Sequence, residues 1–261
     1  MEQERFRIKS VALDALKNQQ RKKRIRRRIF YLALILLICV AFFTVSVIAF
    51  FRISEIEVTG SEKYTLQDIL PALGFQNGDN LFSFRSGAVE EKLKETFPYI
   101  ASAEISRTSP TKVTINIIDE TPVAYTELYG SYYLLSRDMT VLERLTSVPE
   151  NTLISLSASA ADVCVVGSAI VFEDDRVIPT LTELLDSMES SGILGEIRSI
   201  DMTNRFEIEF WYQDRFSVYI GTVDDAEIKT AFLVKIIEKL YDYRGHIDIS
   251  DTREAAFSKF E

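Results

Sequence analysis

Cysteine is scarce in this chain of 261 residues, which contains only two. Cys39 lies within a long apolar run near the N-terminus, whereas Cys164 lies in the acidic part that follows. Because a residue inside a membrane-spanning run cannot reach one outside the bilayer, the two cannot form a disulfide within one chain. The part after the run, with roughly two hundred residues, must be held together by a hydrophobic core, and its length suits two small domains.

Histidine is scarcer still, because His246 is the only one. A single imidazole without a cysteine cluster makes neither a zinc site nor a catalytic triad, and its place beside Gly245 predicts a surface turn residue. Acidic pairs such as Asp174-Asp175 and Asp224-Asp225 are predicted to lie in turns or at helix starts, since adjacent side chains do not converge on one bond. The sequence also lacks a glycine-rich phosphate loop. We therefore predict no metal, no cofactor, no small-molecule substrate and no catalytic residues.

One short motif does match an enzyme signature. Ser109-Pro110-Thr111-Lys112 has the Ser-x-x-Lys spacing of penicillin-interacting enzymes. Those enzymes are anchored outside the bacterial cell membrane by a single transmembrane helix. In those enzymes the serine starts a helix, so that the lysine one turn later can reach it. Here a proline corner joins two predicted strands, and neither a Ser-Asp-Asn nor a Lys-Thr-Gly partner motif is present. We therefore interpret the match as accidental.

Charged side chains are absent from residues 29–51, which are rich in Leu, Ile, Val, Ala and Phe. A helix of this length spans about 34 Å, enough to cross the roughly 30 Å hydrocarbon core of a bilayer. A buried helix of a soluble protein is disfavoured because no polar stripe interrupts the run. A cleavable signal peptide, cut at Val47-Ile48-Ala49, is the alternative, but the run is longer than a usual signal core. We predict an uncleaved transmembrane helix over residues 29–51.

The two sides of this run differ in charge. Residues 1–28 carry 11 Lys and Arg against 3 Asp and Glu, whereas residues 52–261 carry 19 basic and 36 acidic residues. The positive-inside rule therefore places the basic tail, residues 1–28, in the cytoplasm and the remainder outside. The basic block at 21–28 also suits the anionic headgroups of the lipid bilayer. Nucleic-acid binding is disfavoured, because the block lacks interleaved aromatic residues and a folded module.

Residues 52–121 have the pattern strand, helix, helix, strand, strand. Ile56 and Val58 alternate with polar residues, and a helix with a Thr65/Asp68 capping box is predicted to end at Gly74. A second helix is predicted to begin near Ser86 and to stop before Pro98. Alternating apolar residues then predict two strands joined by a proline corner, the first with Ala101, Ala103 and Ile105 and the second with Val113, Ile115 and Ile117.

Residues 122–261 are predicted to form mainly strands with two helices. One helix starts by Pro179 and stops before Gly192. The other runs from about Asp225 to Tyr243 and aligns Ile228, Phe232, Ile236, Leu240 and Tyr241 along one face. The predicted strands are 132–135, 153–156, 163–166, 197–202, 206–212, 216–220, 247–249 and 254–260. The fold class is α+β: a single N-terminal transmembrane helix, the five-element unit, and a C-terminal, mainly antiparallel β domain with two helices.

This order of elements, together with four short motifs, resembles a known family. The motifs are Ile53-Ser54-Glu55-Ile56-Glu57-Val58-Thr59-Gly60, Gly78-Asp79-Asn80-Leu81-Phe82, Glu120-Thr121-Pro122-Val123-Ala124 and Gly245-His246-Ile247-Asp248-Ile249-Ser250-Asp251. The five-element unit resembles a POTRA domain, and the chain as a whole is similar to the bacterial cell-division family called FtsQ or DivIB. The resemblance implies a POTRA domain at 52–121 and an extracytoplasmic β domain at 122–261.

The resemblance also implies a function and a binding site. It implies a non-catalytic, single-pass scaffold of the division septum that helps to recruit and regulate septal peptidoglycan synthesis, in contact with a septal wall synthase. The terminal strand would dock small bitopic partners of the FtsB or DivIC kind, which travel with FtsL. The residues carried over for this docking are Arg253, Glu254, Ala255, Ala256, Phe257 and Phe260. The alternative is that Phe257 and Phe260 only complete the hydrophobic core.

Two other functions remain open from the sequence. One is an exported enzyme that acts on the cell wall, which turnover of peptidoglycan by the purified exported part would favour. The other is a sensor or transport accessory that uses the POTRA-like unit to dock a polypeptide.

Overall fold

The computed structural model describes residues 28–47, 49–149 and 152–260. The predicted cytoplasmic tail, up to residue 27, lies outside these ranges. The chain divides into two compact units. The first holds the chain up to Ile56 with Phe75–Phe84 and Arg107–Val113, and the second holds Glu57–Gly74, Arg85–Ser106 and the chain from Thr114 onward.

Helix α1, Arg28–Val47, coincides with most of the predicted apolar run. Its 20 residues include a window with a mean hydropathy of 2.7, and none of that window is buried against the rest of the chain. A helix of this length and composition can cross the hydrocarbon core of a bilayer. The structure therefore contains a candidate N-terminal transmembrane helix, as the sequence predicts.

The next five elements follow the predicted order of strand, helix, helix, strand, strand. They are β1 (Glu55–Thr59), α2 (Leu66–Leu73), α3 (Ser86–Thr96), β2 (Ile100–Ser109) and β3 (Lys112–Asp119). The three strands form a sheet in the order β1-β3-β2, so β3 is central. Val113, Ile115 and Ile117 of β3 are almost completely buried, because alternate side chains of a central strand point to the same covered face.

The ends of helix α2 confirm the signals read from the sequence. The backbone N–H of Thr65 donates to Oδ2 of Asp68 at 2.8 Å, as in a capping box. At the other end Gly74 has φ of 72°, the left-handed conformation that glycine adopts without a steric penalty. Both boundaries of this helix are therefore set by local sequence.

A nine-stranded sheet dominates the second unit. Its strands are β4 (Ala124–Leu128), β5 (Ser131–Leu135), β6 (Val141–Leu145), β7 (Ile154–Ala158), β10 (Ile197–Met202), β11 (Ile208–Tyr212), β12 (Phe216–Gly221), β13 (Gly245–Asp248) and β14 (Ala256–Lys259), in the order β14-β13-β12-β11-β10-β7-β4-β5-β6. Only the pairs β4–β7, β7–β10 and β12–β13 are parallel, so the sheet is mainly antiparallel. A separate pair joins β8 (Ala161–Val163) to β9 (Val171–Phe172).

Two helices share one hydrophobic core with this sheet. Helix α4 spans Val177–Ser190 and helix α5 spans Ala226–Lys239, and a short 3-10 turn follows α4 at Leu194–Glu196. The core takes the inward residues of the central strands and of both helices, among them Ile200, Phe210, Phe216, Val218, Leu184, Met188 and Leu233. The opposite side chains of β11, β12 and β13 are polar or aromatic and mostly lie at least partly in solvent.

The structure corrects three details of the predicted elements. Strand β8 ends at Val163, so the run 163–166 is not a strand. Strand β11 begins at Ile208 rather than at Phe206, because Phe206 N–H donates to Oδ1 of Asn204 in a turn that leaves the Phe206 ring 55% exposed. Helix α5 ends at Lys239 rather than Tyr243.

The buried face of α5 also differs from the predicted face. Ile228 is 56% exposed, whereas Ala226, Lys229, Thr230 and Leu233 are buried. The Nζ of Lys229 donates to the carbonyl oxygens of Ile220 at 3.1 Å and Thr222 at 2.9 Å. These hydrogen bonds make burial of the ammonium group tolerable, although desolvation still lowers the pKa of Lys229. Lys229 therefore lies on the buried face of α5, and Ile228, the apolar residue next to it, faces solvent.

A small polar cluster in the second unit joins β6 to the segments before α2 and β2. The hydroxyl of Tyr99 donates to Oε2 of Glu143 at 2.7 Å, and Nζ of Lys63 lies 3.2 Å from the same oxygen and 4.0 Å from the centre of the Tyr99 ring. The Tyr99 hydrogen bond, followed by Lys63, holds the pKa of Glu143 below its ordinary value. Burial and Glu143 together raise the pKa of Tyr99.

Replacing Glu143 with glutamine is expected to make the free energy of unfolding less dependent on pH in the acid range. A carboxylate whose pKa is lowered by folding stabilises the folded state above its ordinary pKa of 4.5 and loses that contribution as pH falls through the folded pKa. Glutamine keeps an acceptor for Tyr99 but loses the charge, so we expect a loss below about 1 kcal/mol at neutral pH, because the pair is partly exposed. Denaturant titrations of the detergent-solubilised chain from about pH 3 to 7 should show the two proteins converging in acid. A difference in unfolding free energy that stays constant across this pH range would contradict a lowered pKa of Glu143 in the folded protein.

Candidate functional site

Strand β14 lies at one end of the nine-stranded sheet. It pairs antiparallel with β13, with Ile247 opposite Phe257 and His246 opposite Ser258. All four residues of β14 are exposed, whereas Gly245 and Ile247 of β13 are buried. In the part of the chain that the structure describes, no strand pairs with the outer side of β14. Its outward N–H and C=O groups therefore form an edge to which another extended segment could be added.

Aromatic contacts fix this strand to the sheet. The Phe257 ring meets the rings of Phe216 and Tyr243 edge-on, at centroid distances of 6.4 and 6.0 Å. Phe260 stacks on Trp211 at 5.9 Å. Phe257 and Phe260 nevertheless stay 36% and 42% exposed. They therefore anchor the strand with one side of each ring and leave the rest of each ring at the surface, instead of completing the core.

Gly245 allows the close approach of β14 to β13. An added Cβ at this position would lie less than 3.0 Å from the carbonyl oxygen of Ser258 and 2.6 Å from Cε2 of Phe257. The first of these atoms belongs to the backbone of β14 and cannot turn away as a side chain can. The strand pairing at this edge therefore requires a residue without a side chain.

A polar row crosses the uncovered face of the sheet towards the edge. Trp211, Ser217, His246 and Ser258 are cross-strand neighbours on β11, β12, β13 and β14. The Ser217 hydroxyl donates to Oε1 of Glu209 and lies 3.0 Å from Nδ1 of His246. The prediction that His246 is a surface turn residue is therefore wrong, since it lies within β13 and is partly buried.

The serine–histidine contact has a different order of groups from a catalytic triad. In such a triad the histidine stands between the carboxylate and the serine and accepts the serine proton, whereas here Ser217 stands between Glu209 and His246 and gives its proton to the carboxylate. The contact instead orders three neighbouring strands on the face next to β14.

The predicted docking residues occupy one continuous exposed segment. Ala256 and Phe257 lie in β14 and Phe260 directly follows it, whereas Arg253, Glu254 and Ala255 precede it. Arg253 forms an ion pair with Asp251 at 3.3 Å, and the hydrogen bonds from Arg253 lower the pKa of Asp251. The pair is exposed, so it contributes little to the position of the segment.

Sequence reasoning missed four residues of this edge. Trp211, Tyr243, Gly245 and His246 support β14 but lie on or beside other strands. Only Gly245 carried a local signal, since a glycine at the start of a predicted strand often marks a close approach of two backbones. The others become neighbours of β14 only through the strand order of the sheet.

Other groups that the sequence singled out do not assemble into a catalytic or metal site. Lys112 of the Ser-x-x-Lys motif pairs with Glu55 at 2.9 Å, while Ser109 Oγ accepts the Thr111 N–H at 3.4 Å. Within residues 28–47, 49–149 and 152–260, no cluster of three or more His, Cys, Asp or Glu side chains is arranged to hold a metal ion. A cleft of about 640 Å³ beside α4 is lined by Ile178, Pro179, Thr182, Glu183, Asp186, Ser187, Ser190 and Glu227. It offers carboxylates without a histidine, lysine or cysteine beside them.

Comparison with known proteins shows similarity to bacterial cell-division proteins. Residues 51–118 match the family model described as "POTRA domain, FtsQ-type". The cell division protein DivIB of Clostridium botulinum is 24% identical over 247 residues, covering 91% of this chain and 92% of the relative. DivIB of Clostridium acetobutylicum is 25% identical, with 77% and 80% covered. The cell division protein FtsQ of Streptomyces collinus is 22% identical, with 76% and 75% covered.

A solved structure is also similar to part of the chain. The major extracytoplasmic domain of DivIB from Geobacillus stearothermophilus aligns with 47% of this chain and 94% of its own length, at 15% identity and a TM-score of 0.30. A score this low adds nothing to the assignment. The sequence relatives cover nearly the whole chain, and the FtsQ-type match falls on the strand-helix-helix-strand-strand elements. The chain is therefore similar to the FtsQ and DivIB cell-division proteins, and its residues 51–118 match the FtsQ-type POTRA domain.

Proposed function

We propose that this protein is a non-catalytic scaffold of the division septum that binds its partners through strand β14. Helix α1 anchors it in the cell membrane, with the N-terminal tail in the cytoplasm and the chain from residue 52 outside. The partners are small bitopic membrane proteins of the FtsB or DivIC kind together with FtsL-like proteins. The observation that carries the proposal is the exposed, terminal position of β14.

The edge offers both affinity and selectivity for an extended segment. An added strand would form main-chain hydrogen bonds with the outer side of β14, which contribute binding energy but little sequence preference. The half-exposed rings of Phe257 and Phe260 supply apolar area on opposite faces of the edge. Aromatic residues of this kind often dominate the energy of an interface. A partner strand with apolar residues facing these two rings would therefore fit the edge.

Membrane anchoring makes a modest interface sufficient. Proteins confined to one bilayer have a high effective concentration for each other, so several weak contacts together give a stable assembly. By holding these partners at the septum, the scaffold would help to recruit and regulate septal peptidoglycan synthesis, including a septal wall synthase. The edge offers backbone groups and aromatic rings, which suit binding rather than catalysis.

Photocrosslinking in dividing cells tests this proposal. A photoreactive amino acid at Phe257 is expected to capture a small bitopic division protein, identified by mass spectrometry. The matched control is the same amino acid at Phe206, which is also an exposed phenylalanine but lies in the turn before β11. Deletion of 254–260 is expected to abolish capture by a crosslinker placed at His246, while β11 and β12 keep their slow amide exchange. Equal capture from positions 257 and 206, or unchanged capture and septal localisation after the deletion, would refute the proposal.

A further inference from the structure

A loop of the first unit is bound directly to the chain that leaves the membrane helix. This loop, residues 78–84, is called the juxtamembrane loop below. The Gly78 N–H donates to the Ile53 carbonyl at 2.7 Å, the Ile53 N–H donates to Asp79 at 2.8 Å, and the Leu81 N–H donates to Phe51 at 2.8 Å. Three backbone hydrogen bonds thus fix the loop beside residues 51–53, where the predicted apolar run ends.

The loop also reaches the last turn of the helix itself. The Nδ2 of Asn80 donates to the carbonyl oxygen of Val47 at 3.2 Å. The same carbonyl oxygen accepts the Phe51 N–H at 3.2 Å, so the loop adds a second hydrogen bond to it. The ring of Phe82 lies 5.4 Å from the ring of Phe51. Since Phe51 is the final residue of the apolar run, the Phe82 side chain lies beside the end of that run.

The side chains of the loop divide into a buried and an exposed set. Leu81 is 2% exposed and Phe75 is 4% exposed, and Phe75 stacks on Phe84 at 3.9 Å. Phe82 is 56% exposed, although it lies between these residues. The loop therefore has its own small apolar support and does not need Phe82 to complete it.

A guanidinium group stands beside the exposed ring. The Nε of Arg107 donates to the Leu81 carbonyl at 3.0 Å, and Nη2 donates to the Phe84 carbonyl at 3.2 Å. The Cζ of Arg107 lies 5.7 Å from the centre of the Phe82 ring and 4.9 Å from that of Phe84. A guanidinium has more N–H donors than these two bonds use, and it pairs well with phosphate.

We propose that the juxtamembrane loop lies in the headgroup layer of the outer leaflet, with Phe82 at the interface and Arg107 bound to a lipid phosphate. An exposed phenylalanine ring can insert at the boundary between headgroups and acyl chains, and arginine reaches phosphate while its stem stays in apolar surroundings. The inference rests on the part of the proposed function in which α1 crosses the membrane. It adds a second membrane contact to the anchor, one that holds the chain at residues 51–53 in a fixed orientation to the bilayer.

Fluorescence of the full chain in lipid vesicles tests this proposal. Trp211 is the only tryptophan, so a Trp211→Phe background carrying Phe82→Trp reports on the loop alone. In vesicles of phosphatidylcholine and phosphatidylglycerol, the fluorescence of the F82W protein is expected to be quenched by lipids brominated near the glycerol and to be protected from acrylamide. The reverse result, quenching by acrylamide but not by the brominated lipids, would overturn the proposal.

A reference variant separates this outcome from a failure of the anchor. Phe50 lies in the apolar run and is 75% exposed, so Phe50→Trp in the same background is expected to be quenched by lipids brominated along their acyl chains. Loss of this quenching would refute membrane insertion and thus the proposed function. Quenching of the F50W protein by brominated lipid, without quenching of the F82W protein, would refute only the loop contact.

The role of Arg107 is tested through the headgroup charge in the F82W background. Adding phosphatidylglycerol to phosphatidylcholine vesicles is expected to raise the quenching by brominated lipid in the arginine protein and in Arg107→Lys, because both keep a cation near the phosphates. In Arg107→Gln this dependence is expected to fall by roughly half or more, because the cation that an anionic surface attracts is removed. An unchanged dependence in Arg107→Gln would overturn the assignment of Arg107 to the lipid phosphate.

Discussion

Replacing Gly245 with alanine is expected to detach strand β14 from the sheet. The new Cβ would lie less than 3.0 Å from the carbonyl oxygen of Ser258, a separation that real Cβ contacts essentially never show. Neither backbone can move away without loss of the β13–β14 hydrogen bonds, because strands in a sheet are held at a fixed spacing. Amides of residues 256–260 are expected to exchange at least ~10-fold faster, measured by hydrogen exchange of the full chain in nanodiscs.

The same substitution in helix α3 provides the control. Gly87 lies inside α3, and a Cβ added there meets no heavy atom within 4 Å. Gly87→Ala is expected to stabilise the protein by ~0.5–1 kcal/mol, because alanine loses less backbone entropy in a helix. It should leave exchange in β14 unchanged. The same Gly→Ala change thus has opposite expected effects, because the new Cβ clashes with β14 at position 245 and meets no atom at position 87.

The Gly245 variant also connects the edge to binding. If β14 docks the partner, Gly245→Ala should lower crosslinking from position 257 together with the loss of exchange protection, while Gly87→Ala should not. Partner capture that persists after β14 has lost its protection would mean that the partner binds the flexible segment or another surface. Slow exchange retained in Gly245→Ala would contradict the close approach of the two strands.

Local sequence determined the parts of the fold in which neighbours along the chain settle the outcome. The apolar run, the Thr65/Asp68 capping box, the left-handed Gly74 and the alternation in β3 each depend on residues within a few positions. The order of elements up to Asp119 was therefore predicted correctly. The strand segment at the C-terminus was predicted too, beginning two residues too early and ending one too late.

The remaining details depend on contacts between distant residues. The predicted face of α5 was right at Ile236 and Leu240, which pack against the core, but wrong at Ile228 and Tyr241, which are exposed. Lys229 is buried instead because it hydrogen-bonds to β12 and the following loop, a partnership that a hydrophobicity pattern does not contain. The prediction that His246 is a surface turn residue was wrong because His246 lies in β13, where a parallel strand pair makes Ser217 its neighbour. The edge position of β14 depends likewise on the order of nine strands. The sequence thus predicted that the C-terminal segment forms a strand, whereas its exposed edge position follows from the strand order of the sheet.

Replacing Phe210 with alanine is expected to destabilise the second unit more than the other substitutions in its sheet discussed above. Phe210 is fully buried on β11, opposite Ile200 and Val218 on the flanking strands. Its removal leaves a cavity in a close-packed core, which costs about 3–5 kcal/mol and lowers the unfolding temperature by on the order of 10 °C. The neighbours cannot close this cavity, since both lie in a hydrogen-bonded sheet.

Phe206 provides a matched control four residues earlier in the chain. Its ring is 55% exposed and contacts the guanidinium of Arg205 at 4.1 Å, so Phe206→Ala is expected to change stability by less than about 1 kcal/mol. Thermal and denaturant unfolding of both variants, in detergent, measures the difference. Because β14 is bound through β13 and β12 to β11, the loss at Phe210 should also raise exchange at the edge, whereas Phe206→Ala should not. Similar losses from the two substitutions would show that Phe210 does not occupy the centre of the core and that the start of β11 is wrongly placed.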